Sequence, residues 1–259
     1  MLGLLKRNYL KLYGQLRVRK NLYEMGDRRA VSMRYDRSLF EAASIWPEVL
    51  PWSPTSILDI GAHSGKIADQ LSVLYRPVFM GLVEPLPELA RALTEKEFSP
   101  RQRVFQCALG RTQSKEYMNV LSNLSSSSIL QVTPEAPIVF NTKMDRVCKI
   151  EVQVRTLDDI FEECGLEVLD LLKIDVQGYE MEVFAGGNNT IKRTRLVVCE
   201  VSFFEHYHGQ PLFKDIYSHL QTQGFEIRRV FGYVYDPYGM LIQCDVVFIN
   251  KNMGSFVQP

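Results

Sequence analysis

Four side chains in this sequence are placed to handle a proton: Lys173, Asp175, His206 and His208. Asp175 stands near the end of the apolar run 169–176, two residues after Lys173 and so on the same face of a strand. A carboxylate there can take the proton of a hydroxyl, and imidazole titrates near neutral pH. Asp175 is therefore the first candidate for a base, with His206 or His208 next. Lys173 lies a step deeper and serves as a base only if burial lowers its pKa. Otherwise it pairs with Asp175 or a neighbour, because an unpaired buried ammonium is costly. His206 and His208 form a His-x-His beside Glu205, with Glu200 shortly before. That spacing is weak for a metal centre, and no metal is expected.

A second group of residues is suited to hold a ligand. Residues 56–66 read SILDIGAHSGK, a short apolar run that ends in Asp59 and passes at once to Gly61 and Gly65. Such glycines reach backbone angles closed to other residues and let a ligand lie against bare main chain. A dinucleotide fingerprint would need glycines at 63 and 66, where this chain has His63 and Lys66. The pattern fits instead the acidic-residue, x, G-x-x-x-G turn of S-adenosylmethionine (SAM) enzymes. The next apolar run, 77–85 (PVFMGLVEP), ends in Glu84, 23 residues after Gly61, about where a doubly wound fold sets an acid on a ribose. Acids on both loops would repel a pyrophosphate, whereas they suit the sulfonium and ammonium of SAM.

Elements to carry these residues can be read in order. After a helix over 38–50, capped by Ser38 and disturbed by Pro47, a proline-rich connector spans 51–54. Strands ending at Asp59 and Glu84 alternate with helices over 66–75 and 86–96, and a third strand is expected over 103–109 (RVFQCAL). Strands over 115–120 and 149–155 then flank a long polar loop. Its centre, 122–128 (SNLSSSS), is expected to be mobile, as a lid or a binding loop. Winding resumes with a helix over 157–164, a strand over 168–176, a helix over 179–185, a strand over 195–201 and a helix over 212–223. Two last strands, 226–231 and 241–250, are joined by a turn at 236–239 and must pair antiparallel, since a parallel crossover needs a dozen or more residues. The expected fold is α/β and Rossmann-like: a seven-stranded, mostly parallel sheet with an antiparallel C-terminal hairpin, as in class I methyltransferases.

With these pieces in order, the chain resembles the FkbM-type family of SAM-dependent methyltransferases. The resemblance rests on LDIGAHSG (58–65), VEP (83–85), CALG (107–110), VRTLDDI (154–160) and LLKIDVQGYE (171–180), and it covers roughly 55–250. It implies SAM as methyl donor and O-methylation of a hydroxyl, often on a sugar of a glycan or glycolipid. Position by position, it sets Asp59, Gly61, His63 and Gly65 on the first cofactor loop, Glu84 on the ribose, and Ala108 and Leu109 beside the adenine. Phe203, Phe204, Tyr207 and Tyr233 would either form an aromatic platform for a sugar face or pack in the core.

Bulk properties narrow the alternatives. At 259 residues, one methyltransferase domain over 55–259 with a helical, basic extension over 1–54 is expected. Thirty basic side chains balance thirty acidic ones, which argues against nucleic acid as a partner. No apolar run of about 18 residues could span a membrane, and no signal peptide is expected. The five scattered cysteines read as small buried hydrophobes in a reducing compartment, so the expected location is cytoplasmic. Residues 1–23 hold six basic side chains and no acid, with leucines at helical spacing. Such a helix packs its leucines on the domain, or lies peripherally on an anionic membrane surface. The rival functions are an NAD-dependent sugar-modifying enzyme and a non-catalytic scaffold of the same fold docking through the basic N-terminus. The missing glycines oppose the first; intact Gly61, Gly65, Glu84 and Asp175 oppose the second. The sequence sets no oligomeric state.

Overall fold

In the computed structural model, which describes residues Trp46, Val49, Leu50 and 52–253, seven strands form one sheet. The chain divides into two compact units, Met1–Trp46 and Pro47–Pro259. The fold that follows is that of the second. The expected basic helix over 1–23 lies outside the described residues, as does most of the helix expected over 38–50.

From the start of the domain the chain runs β1 (Ser56–Ile60), α1 (Lys66–Tyr75), β2 (Phe79–Val83), α2 (Pro87–Thr94) and β3 (Arg101–Phe105). A smaller excursion follows, with β4 (Ala108–Leu109), β5 (Ser114–Leu121), α3 (Ala136–Val139) and β6 (Arg146–Arg155). The main winding then resumes as α4 (Leu157–Cys164), β7 (Leu169–Ile174), α5 (Glu180–Ala185), α6 (Asn188–Lys192), β8 (Thr194–Ser202), α7 (Phe213–Thr222), β9 (Phe225–Tyr235) and β10 (Leu241–Asn250). The large sheet has the order β3-β2-β1-β7-β8-β10-β9. All its neighbours pair in parallel except β10, which runs against both β8 and β9. This is the expected Rossmann-like sheet with its antiparallel C-terminal hairpin.

The central strands are apolar on both faces, as strands covered on both sides must be. On one face Leu58, Ile60, Leu172, Ile174, Val197 and Cys199 pack with Phe161, Phe184, Ile216 and Leu220 from the helices. α4 starts at a capping box in which Thr156 and Asp159 exchange hydrogen bonds, so part of the VRTLDDI string is a helix start signal. Four cysteines are buried as expected; Cys148, on β6, is exposed. Among the described residues no helix is long and apolar enough to cross a membrane.

Two expectations need correction. The strand expected over 103–109 is two strands in two sheets. The Cys107 N–H bonds back to the Phe105 carbonyl at 3.0 Å, a three-residue turn that bends the run. β3 stays on the large sheet, and β4 crosses to pair with β6 beside β5 in a three-stranded sheet. The serine-rich run 122–128, read as loose, is held in place. It contains a 3-10 turn, Leu124–Ser126, and Ser126, Ser127 and Ser128 are buried. Asn119 and Ser128 exchange two backbone hydrogen bonds, and the Leu121 N–H donates to Ser127 Oγ at 3.1 Å.

Candidate active site

The chain leaves β1 toward β2 on one side and returns through β7 on the other, and open α/β sheets bind ligands outside the carboxyl ends of strands at such a switch point. Ile60 is level with Val83 on β2, and Asp59 is level with Lys173 on β7. Beyond these strand ends opens a crevice of about 700 Å³, counting the space open to solvent at its mouth. It is lined by Gly61, His63, Glu84 and Asp175, by Ala108 and Leu109, and by Ser125, Ser127 and Ser128.

Gly61 has φ +78°, and a Cβ at this position would collide with the Asp175 carbonyl oxygen. Only bare main chain lets the ends of β1 and β7 approach so closely. Gly65 also has a positive φ, but it does not line the crevice. A Cβ there would press on Leu93 and Phe98, so its glycine serves the packing of the turn on α2. Glu84, 4% exposed, accepts the His63 N–H on Oε2 at 2.8 Å and the Leu86 N–H on Oε1 at 2.9 Å. Burial pushes its pKa up, and these two backbone donors work against that. Nε2 of the His63 ring is buried and meets no hydrogen-bond partner among the described residues. Main chain open at Gly61, an anchored carboxylate, an apolar wall and an orphaned imidazole nitrogen together fit an adenosyl ligand.

Charge is concentrated on the other side. The Lys173 ammonium lies 3.2 Å from Asp59 Oδ1 and 3.4 Å from Asp175 Oδ2. Burial alone would lower its pKa, but Asp59 and then Asp175 outweigh burial and hold it above the ordinary lysine value. The two carboxylates favour the charged form of Lys173, which weighs against it as a base, and it does not line the crevice. Asp59 is fully buried and does not line the crevice; its side chain faces Lys173. Asp175 does reach the crevice, with 31% of its side chain exposed. Glu200, on β8 opposite Asp245 of β10, has its pKa raised well above normal by burial, then by Asp175 and Asp245. Burial raises Asp245 to about 7, with Asp175 adding to it, and raises Glu180 to about 7. Glu180 Oε1 accepts the N–H groups of Val176 and Gly178, which fixes the turn that carries Asp175.

Neither candidate histidine reaches this cluster. His206 is 3% exposed, packs edge-on against Phe140 with ring centroids 4.5 Å apart, and has its pKa lowered by burial. His208 is exposed, and its N–H donates to the Gln131 carbonyl. Glu205 turns its carboxylate to the Gly209 N–H at 2.6 Å. These residues tie the segment after β8 to residues 131–133; they do not line the crevice. Among the described residues no three His, Cys, Asp or Glu side chains are grouped as metal ligands. The aromatic set also divides. Tyr207 is buried and hydrogen-bonded, Phe203 packs on Phe213, and Phe204 and Tyr233 face solvent. Sequence reasoning missed Gln177, Tyr179, Met118 and Ile129, which line the crevice too. The string LKIDVQGYE contained the first two; nothing in the spacing of 118 and 129 marked them.

Residues 59–227 match the methyltransferase FkbM domain. The 2-O-methyltransferase NoeI of Sinorhizobium fredii is 32% identical over 163 residues, 60% of this chain; the chain spans 66% of that protein's length, just under two thirds. The methyltransferase sdnD of Sordaria araneosa is 25% identical over 75% of this chain and 86% of its own length. Among solved structures, magnesium protoporphyrin IX methyltransferase of Synechocystis PCC 6803 with bound SAM superposes with a TM-score of 0.48 at 10% identity, covering 84% of this chain and 80% of that one.

Proposed function

The chain belongs to the FkbM methyltransferase family, and we infer that it is a SAM-dependent methyltransferase that methylates a hydroxyl of a carbohydrate-containing or related small-molecule acceptor. The observation that carries this reading is the position of Asp175. Of the four side chains suited to proton handling, it alone reaches the crevice that Gly61 and Glu84 frame.

SAM supplies a methyl group already activated on a sulfonium, so the C–S bond breaks as the acceptor oxygen forms its bond to carbon and a neutral thioether leaves. With the donor activated, much of the catalysis lies in positioning. Glu84 accepts hydrogen bonds from the ribose hydroxyls with the lone pairs its two backbone donors leave free. The turn at Gly61 offers open main chain, and Ala108 and Leu109 flank the adenine. Asp175 takes the proton of the acceptor hydroxyl, and Lys173 beneath it keeps the carboxylate in place. The 2-O-methyltransferase activity in the name of one relative agrees in kind with a hydroxyl acceptor.

The test is methyl transfer from labelled SAM into extracted glycans and glycolipids. Label is expected in a hydrolysis-resistant ether on a sugar. Asp175→Asn should bind SAM within about threefold of wild type and lose about 10²–10⁴ in turnover. Label confined to non-sugar acceptors would overturn the acceptor class, and a fully active variant would place the base elsewhere.

A further inference from the structure

The turn after β7 contains a residue to which the reaction above gives no part. Gln177 has φ +55°, a left-handed conformation uncommon outside glycine, and every polar atom of its side chain is engaged. Nε2 donates to Asp175 Oδ1 at 2.7 Å and to Glu200 Oε1 at 3.0 Å. Oε1 accepts from the Tyr207 hydroxyl at 2.9 Å, and that hydroxyl lies equally close to the Ser126 carbonyl oxygen. The Gln177 carbonyl accepts from the Ser128 hydroxyl at 2.7 Å.

Two carboxylates converging on one point repel each other, and Lys173 is already shared between Asp59 and Asp175. A primary amide resolves the conflict because its two N–H groups can serve one acid each while its oxygen takes a donor from the far side. Glutamate at 177 would add a third acid, and an apolar residue would leave both carboxylates without this donor.

We propose that Gln177 is a positioning residue whose side-chain amide holds Asp175, at the crevice, beside the Glu200 carboxylate behind it and ties that pair, through Tyr207, to the 126–128 strip, of which Ser127 and Ser128 line the crevice. The proposal rests on the reading of Asp175 as proton acceptor for its functional meaning, although its geometry does not. Placement of the base and anchoring of the 126–128 strip then depend on one side chain.

The charged and titratable groups facing Asp175 and Glu200 come from every element packed on them. They are Asp59 of β1, His63 of the glycine turn, Lys173 of β7, Glu180 of α5, Cys199 of β8, Tyr207 beyond β8 and Asp245 of β10. Glu200 is already pushed up by burial and by its acidic neighbours. An N–H donor favours the charged carboxylate, so removing it moves the Glu200 titration further up, not down.

The experiment is a pH titration of the full chain labelled with ¹³C at glutamate carboxyls, with the Glu200 resonance identified by its loss in Glu200→Gln. Gln177→Met, close in shape but unable to donate, should raise the Glu200 midpoint by about one pH unit. Tyr207→Phe should raise it less, and it carries the test alone if Gln177→Met does not fold. In both variants the backbone amides of 122–130 should exchange with deuterium several-fold faster. A Glu200 midpoint unmoved in both variants overturns the proposal. The titration needs neither SAM nor acceptor, so this failure is separate from a failure of Asp175 as base, which only turnover of Asp175→Asn reads.

Discussion

The two acids that face the crevice are held by different kinds of partner. Glu84 is fixed by main chain: the N–H groups of His63 and Leu86 occupy one oxygen each, and Gly61 and Ala62 both donate to the Val83 carbonyl beside it. Asp175 is fixed by side chains, the ammonium of Lys173 and the amide of Gln177. A group held by backbone is placed as soon as its strand and turn form. A group held by side chains depends in turn on what holds those side chains, here Asp59 of β1 for the lysine and Glu200 of β8 and Tyr207 for the amide. The first arrangement suits a fixed binding contact, the second a group that must gain and lose a proton.

Breaking the backbone side should have the largest effect. Gly61→Ala forces a Cβ into the Asp175 carbonyl at a left-handed φ, which should cost on the order of 3–5 kcal/mol in urea unfolding and abolish SAM binding at ordinary concentrations. A variant as stable as the parent would mean the two strand ends are not locked together at that point.

The side-chain half is sharpened by pH. Glu180 has a folded pKa of about 7 against an ordinary value of 4.5, raised by burial, so the native state keeps a proton that the unfolded chain releases first. Its contribution is present at low pH and is lost as pH rises from about 4.5 to about 7. Glu180→Gln keeps an oxygen for the Val176 and Gly178 N–H groups and removes the titration. The variant should therefore gain about 2–3 kcal/mol on the wild type between pH 5 and pH 8. Parallel stability curves for the two proteins would show that Glu180 is ionised in the fold.

The same division explains what the sequence made legible. The glycine turn, Glu84 and the α4 start are short-range patterns in which the residues that act are neighbours along the chain. Lys173 and Asp175 were found because a strand's period of two puts them on one face. The partner that decides the lysine's state, Asp59, sits on an adjacent strand, and register is not written in either segment alone. Gln177, Tyr207 and the 126–128 strip meet across separations of 30 to 81 residues, and the serines looked loose because their partners are far along the chain. The histidines misled for the opposite reason. Their chemistry suited a base, yet the segment after β8 turns them toward residues 131–133 and Phe140.

Binding of SAM at the backbone-held acid is the claim on which the rest stands, and calorimetric titration of SAM into wild type and Glu84→Ala measures it directly. The expected result is a loss of about tenfold in affinity, corresponding to about 1–3 kcal/mol for a charged hydrogen-bond partner removed. Equal affinity in the two folded proteins would contradict the ribose contact and with it the placement of the cofactor in this crevice.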